Sequence, residues 1–125
     1  MKRSERGLSI LELMVAVVII GVLSSMATAG MSKHINFAKR PEAYVGLATI
    51  ARMQDAYYDG RGYFASTLDE LGFTMDGGSA SGSNAWVGRR YTFSITPMNG
   101  TQNYVATAIG NIDGDEFQDI LFAAR

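Results

Sequence analysis

An apolar segment near the N-terminus constrains this 125-residue chain more than any other feature. Residues 13–23 are all apolar or glycine, and residues 24–30 add only methionine and small or hydroxyl-bearing side chains. As a helix, residues 8–30 would be about 34 Å long at roughly 1.5 Å per residue. That length crosses a hydrocarbon core of about 30 Å. The sequence therefore predicts a membrane-spanning helix over residues 8–30.

Glu12 is the one charged residue in this segment. A carboxylate at membrane depth costs on the order of 3 kcal/mol on insertion scales, so we expect it to have a partner. If the chain were cut after Gly7, Leu8 would carry a new α-amino group one helical turn from Glu12. That amine would lie at the positive end of the helix dipole, where a carboxylate from its own or a neighbouring helix neutralises it. The pattern predicts helices that pack side by side, with Glu12 as an assembly residue.

The residues before this segment complete a recognisable motif. A basic leader ends in Gly7, and the sequences LSILELMV at 8–15 and IIGVL at 19–23 follow it. This arrangement resembles the class III signal of type IV pilins and of the pseudopilins of type II secretion. That family usually has Phe where Leu8 stands and Pro where Ala29 stands.

The resemblance implies a defined maturation. A prepilin peptidase would remove residues 1–7 by cutting after Gly7, and Leu8 would become the N-methylated mature N-terminus. The chain would reside in the inner membrane as a single-pass protein. The inner-membrane assembly machinery would then extract it into an extracellular helical filament of identical subunits.

Two other interpretations explain the apolar segment less completely. A secretory signal peptide has an apolar region of roughly 7 to 15 residues and then a small-residue cleavage site, and this segment is longer, with its charge elsewhere. An ordinary single-pass anchor would explain every feature except Gly7 and Glu12. The coincidence of the whole pattern favours the prepilin interpretation.

The remaining residues, 31–125, are enough for one small domain. We expect them to continue the helix and then to form a globular domain. The formal net charge is −1, and loss of the basic leader would make it more negative, so we expect no nucleic-acid partner. There are no cysteines, so no disulfide holds the fold. The sequence shows no nucleophile beside a base, no His or Cys cluster and no Walker-type phosphate loop, which predicts that the chain is not an enzyme.

The helical period returns after Pro41, where we expect a kink or a fresh first turn. Residues 42–59 place apolar side chains broadly on one side, and the sequence DGRG at 59–62 ends the helix. A short capped helix is predicted near residues 66–73. A helix that ends in Tyr-Tyr, a GRGYF turn and an LDELGF segment follow one another here. This succession is similar to the region between helix and sheet in pilins of delta-proteobacterial type.

Strands follow a Gly/Ser-rich segment at 76–84, which is typical of a flexible surface loop. Residues 89–96 alternate between apolar and polar side chains, which predicts a half-buried strand. Residues 97–100 are predicted to form a turn, and residues 103–109 a second strand that runs back along the first. Residues 120–123 are predicted to be a last, apolar strand. We therefore expect an α+β pilin fold, in which a long N-terminal helix packs on a three- or four-stranded antiparallel sheet.

The acidic segment between the last two strands suggests calcium. Oxygen-bearing side chains alternate at Asn111, Asp113 and Asp115, and the Phe117 carbonyl and Asp119 follow. This spacing is typical of a tight loop that wraps a calcium ion. The sixth and twelfth positions depart from EF-hand loops, because Glu116 and Phe122 stand there. An acidic turn without metal is the alternative, and no other cofactor is expected.

The sequence thus predicts a structural subunit of a type IV pilus, for adhesion or twitching motility. A minor pilin and a type II secretion pseudopilin are close alternatives. A membrane-tethered binding module is the alternative from another class of protein. The sequence does not choose among adhesion, motility and DNA uptake.

Overall fold

The computed structural model describes residues 9–125, so Gly7 and Leu8 lie outside the described residues. The helices and strands follow one another along the chain in the order α1 (Ile10–Lys39), α2 (Pro41–Arg61), α3 (Leu68–Leu71), β1 (Ser79–Ala80), β2 (Ala85–Val87), β3 (Tyr91–Met98), β4 (Asn103–Gly110) and β5 (Asp119–Ala124). The chain divides into two compact units between Ile35 and Asn36, and each unit is described on its own.

The first unit is formed by α1, whose described side chains up to Ile35 are all exposed. Within residues 9–125, the helical stretch that begins with α1 is the one helix long and apolar enough to cross a membrane, as judged by length and composition. Leucine, isoleucine, valine and methionine form most of residues 10–23, and α1 contains no proline. The predicted helix over residues 8–30 is therefore present from Ile10 onward.

The junction between α1 and α2 preserves helical geometry. Arg40 has φ −64° and ψ −31°, which is right-handed helical, and Pro41 occupies the first turn of α2. The Arg40 carbonyl accepts from the N–H groups of Ala43 at 3.0 Å and Tyr44 at 3.4 Å. Pro41 begins a fresh first turn because its missing N–H is not needed there, as the sequence predicts.

The second unit is built by α2 lying on the sheet. One face of α2 buries Ala43, Gly46, Leu47, Ile50 and Gln54. A Cβ at Gly46 would overlap the ring of Phe93, so glycine is what lets helix and strand approach closely. The helix ends at Gly62, which has φ +78° and whose N–H donates to the Tyr58 carbonyl at 2.7 Å.

The sheet is an antiparallel meander in the order β1-β2-β3-β4-β5. Along β3, alternate residues are buried because successive side chains point to opposite faces of a sheet. The α+β fold is confirmed, and the described sheet has five strands where three or four were expected. The additional strands are short, since β1 has two residues and β2 has three, and they pair within and just after the Gly/Ser-rich segment that predicted only a loop.

The β3–β4 turn lies two residues later than predicted. Pro97 and Met98 belong to β3 and pair with Tyr104 and Asn103 of β4, so the turn occupies residues 99–102 and not 97–100. Proline is tolerated there because β2 pairs only with residues 92–94 of β3, which leaves the Pro97 side without a partner strand. Asn99 and Gly100 have φ of +50° and +63°, as a tight hairpin requires.

Candidate assembly segment

The exposed apolar surface of α1 is the most prominent chemical feature of the described chain. Ile10 is 78% exposed, Val17 66% and Met26 72%. Each Å² of apolar surface left in water costs about 25 cal/mol, so a helix that is apolar on all sides needs a lipid or protein environment. The hydroxyl groups of Ser25 and Thr28 suit such an environment, because each donates to a carbonyl of its own helix. Ser25 donates to the Val22 carbonyl at 2.7 Å, and Thr28 donates to the Ser25 carbonyl at 3.1 Å.

Glu12 lies in the first turn of α1 and is exposed. The ion pairs among residues 9–125 do not include it. Its predicted partner is the amine that Leu8 would carry after cleavage, and Leu8 lies outside the described residues. The roles of Gly7, Leu8 and Glu12 in processing and assembly therefore stay predictions.

In the acidic loop, the predicted calcium ligands form local hydrogen bonds. The Asn111 side chain accepts from the Gly114 N–H and donates to the Asp115 carbonyl, both at 2.8 Å. Asp115 Oδ1 accepts from the Phe117 N–H at 2.8 Å. These contacts are those of an acidic turn in which side chains stabilise their own backbone.

The carboxylates of Asp119 and Asp113 have different surroundings. Asp119 begins β5, and its carboxylate lies 3.7 Å from Arg40, while Asp113 is exposed. Over residues 9–125, no group of three or more His, Cys, Asp or Glu side chains is placed to hold a metal ion. Calcium binding by Asn111, Asp113, Asp115, Phe117 and Asp119 stays a prediction.

Polar contacts that the sequence did not reveal join the end of α1 and the start of α2 to loop residues next to the sheet. Glu42 accepts from the Arg90 N–H at 3.0 Å, and its second oxygen lies 3.4 Å from the Arg90 guanidinium. Lys39 donates to the Ile112 carbonyl at 2.5 Å. Each joins residues far apart in sequence, so no local spacing could have indicated it.

Two tyrosines are buried in the same unit. Tyr91 is 1% exposed and Tyr104 2%. Burial raises the pKa of both phenols above the usual value of 10.0, because a buried phenolate loses hydration. The hydroxyl of Tyr91 has no hydrogen-bond partner among the described residues. These groups stay neutral at physiological pH and act in packing.

The motif and the helix agree with two comparisons to known proteins. Residues 2–28 match the family model described as the prokaryotic N-terminal methylation motif. The chain is also similar to the type IV major pilin protein PilA of Myxococcus xanthus, with 29% identity over 77 residues, which cover 62% of this chain.

The two comparisons support the prediction of a type IV pilin. Pilins are structural subunits, so the same comparisons point to a structural protein and not to an enzyme. The matched segment spans 35% of the length of the Myxococcus relative, about a third. No solved structure matches this chain significantly.

Proposed function

We propose that this chain is a structural subunit of a type IV pilus filament and assembles through α1. The observation that carries the proposal is a methylation motif that runs directly into a helix whose apolar side chains are exposed. A simple anchor would need the apolar helix but not the motif. The name of the Myxococcus relative, a major pilin, supports the same role.

The proposed sequence of events uses the motif residues in order. The subunit first spans the inner membrane through residues 8–30, with Lys2, Arg3 and Arg6 keeping its N-terminus on the cytoplasmic side. A prepilin peptidase cuts after Gly7, and Leu8 is N-methylated. The assembly machinery then extracts the subunit into an extracellular filament, where α1 helices pack against one another instead of lipid. We propose adhesion or twitching motility as the filament's use.

Glu12 supplies the electrostatic part of this assembly. In a filament, the carboxylate of one subunit would neutralise the Leu8 amine of its own or a neighbouring subunit. Away from bulk water such a pair is much stronger than at a protein surface. Loss of one partner would leave the other charge uncompensated, which is costly.

Replacing Glu12 with alanine tests the proposal. Glu12→Ala should leave membrane insertion intact, because it removes a charge from an apolar helix, yet reduce the subunit's content in sheared filaments by about tenfold or more. Asp59→Ala is the matched control, since Asp59 is an exposed carboxylate at the other end of the helical stretch. Normal filament content of Glu12→Ala would contradict the proposed pairing. A tethered binding module would tolerate both changes equally.

A further inference from the structure

One face of the sheet lies in the core against α2, and the opposite face holds no charged residue. Phe93, Ala106 and Ala108 belong to the core, and successive side chains of a strand point to opposite faces. The alternate positions of the paired strands therefore form what we call the outer sheet face. Its residues are all exposed or half-buried: Ser79, Ala85, Val87, Thr92, Ser94, Thr96, Met98, Asn103, Val105, Thr107, Ile109, Ile120, Phe122 and Ala124.

This lack of charge is unusual for a surface that faces water. Charged residues make up 18% of the chain and about 25–35% of a typical soluble surface, so a sheet face of this size should hold several. Arg40 lines a cleft with Ile120 at the edge of β5, where it lies 3.7 Å from the carboxylate of Asp119. Ile120 is 59% exposed and Phe122 73%. Exposed apolar side chains on an uncharged face mark an interaction site.

Hydroxyl groups on the outer sheet face limit what can cover it. Thr92, Ser94 and Thr96 follow one another along the outer side of β3, and Ser94 pairs with Thr107 of β4. A hydroxyl group both donates and accepts, so an identical face can satisfy these groups. A wholly apolar surface such as α1 would bury them without partners, which is costly.

The rest of the second unit offers no matching surface among its described residues. The exposed side of α2 carries Arg52, Asp55 and Asp59, and the loop between β4 and β5 carries Asp113 and Glu116. Burying these charges against an uncharged face would remove their hydration and give them no partners. The surface that fits the outer sheet face is therefore the same face of a second copy.

We propose that the outer sheet face of a subunit packs on the same face of a subunit in a neighbouring filament, so that filaments associate laterally. The inference rests on the proposed function, because it needs a filament. Two copies of one surface meet across a two-fold axis, whereas neighbours within an open helical filament meet through two different surfaces. A contact between identical faces therefore joins separate filaments. Sheets that pack in this way keep their strands within about 30° of each other.

The size of the outer sheet face suits a contact that is repeated many times. β3 and β4 have eight residues each, or about 26 Å at about 3.3 Å per residue, and strands about 4.8 Å apart make the five-stranded sheet about 20 Å wide. Because the first strands are short, two faces bury about 800–1,000 Å², at the low end for specific complexes. One pair of subunits is thus held weakly, but two filaments present many pairs and gain avidity.

A charge at the centre of the outer sheet face tests the contact in the full chain. Thr107 lies between Ser94 and Phe122 in the strand register. Sheared filaments of Thr107→Lys and of the unmodified chain are centrifuged at low speed, which pellets only associated filaments, and are examined by electron microscopy. The variant should pellet about tenfold less, because each contact then buries two like charges. Ala56→Lys is the control, since it adds the same charge at an exposed position of α2.

Mixing two variants tests whether the faces that meet are identical. Filaments of Thr107→Asp alone should also stay dispersed, whereas a mixture of Thr107→Lys and Thr107→Asp filaments should associate again. The two substituted positions approach each other only where one outer sheet face meets another, and opposite charges then attract. Restored association should weaken at high salt. A mixture that stays dispersed at low salt would overturn the face-to-face contact.

Phe122→Lys gives a second variant that the fold tolerates, because Phe122 is 73% exposed. It should also disperse the filaments, while filament yield at high speed and the melting temperature stay as in the unmodified chain. Filaments of both lysine variants that pellet like unmodified ones overturn the inference and leave the filament role standing. Folded variants that form no filaments place the face inside the filament, which also overturns it, as does an unmodified filament that never associates. Absence of the unmodified chain from filaments removes the proposed function itself.

Discussion

The side chain of Gln54 forms two hydrogen bonds with the backbone of Ala65. Its Nε2 donates to the Ala65 carbonyl at 3.0 Å, and its Oε1 accepts from the Ala65 N–H at 2.9 Å. Both residues are 0% exposed. One amide side chain on α2 therefore satisfies both backbone groups of a buried residue in the segment that leads away from the helix.

Replacing Gln54 with alanine should lower the free energy of unfolding by about 2–4 kcal/mol, because it leaves two buried backbone groups unsatisfied. Chemical denaturation of the full chain in detergent measures this change. Gln102→Ala is the control, since Gln102 is exposed. Equal stability of the two variants would show that Ala65 finds other partners.

The close approach of α2 and β3 predicts opposite effects at two glycines of one helix. Gly46→Ala should destabilise the fold by about 1–3 kcal/mol through overpacking, because Phe93 is 0% exposed and its ring fills the space. Gly60→Ala should be neutral or stabilise by up to about 1 kcal/mol, because nothing lies near its Cβ position. Thermal unfolding measures the stability of the two variants. Equal destabilisation by both substitutions would contradict the close packing of Gly46 against Phe93.

The buried phenols predict loss of stability at alkaline pH. Burial raises the pKa of Tyr91 and Tyr104 in the folded chain above 10.0, whereas the unfolded phenols stay near about 10. The folded state then holds its protons longer, so the free energy of unfolding is unaffected below the unfolded pKa and falls as pH rises above it. Denaturation curves from pH 8 to 11 measure this fall. Constant stability across that range would contradict it.

Tyr91→Phe should remove part of that pH dependence, and it should not lower the free energy of unfolding at neutral pH. The Tyr91 hydroxyl is buried without a partner, and an unsatisfied buried hydroxyl destabilises. The expected change at pH 7 lies between zero and about 1 kcal/mol of added stability. Tyr44→Phe is the control on an exposed ring. A loss above about 1 kcal/mol at pH 7 would mean that the Tyr91 hydroxyl has a partner.

The predicted calcium loop is tested by adding calcium to the chelator-stripped chain. Binding with a Kd near 10⁻³ M, about the value of weak extracellular sites, would raise the melting temperature by a few degrees in about 10 mM calcium. Asp113→Asn should abolish that rise, and magnesium should produce little of it. An unchanged melting temperature would leave the loop as an acidic turn held by its own hydrogen bonds.

Local patterns predicted most elements of this chain. The 3.6-residue period and the glycines at 60 and 62 located α2 and its end, alternation indicated β3, and the turn after it indicated β4 as the returning strand. Pro41 predicted a fresh turn, which the dihedral angles of Arg40 confirm. The short strands β1 and β2 escaped prediction because they have only two and three residues and lie within and just after a Gly/Ser-rich segment. Pairing of β1 with β2, and of β2 with β3, makes them strands.

Contacts between distant residues could not be predicted from spacing. Gln54 and Ala65, Glu42 and Arg90, and Lys39 and Ile112 meet only because the fold brings separate segments together. The proposed processing and assembly residues are of a different kind, because the motif around Gly7, Leu8 and Glu12 is local in sequence and can be recognised without the fold. Their roles stay predictions, since the proposed partners lie outside residues 9–125 of one chain.

Mass spectrometry of the N-terminal peptide tests the central claim most directly. Filaments sheared from the cell surface and the membrane fraction are digested side by side. We expect an abundant chain in the sheared material that begins at N-methylated Leu8. A chain found only in membranes, still carrying the residues before Gly7, would contradict the proposed filament role and favour a tethered domain.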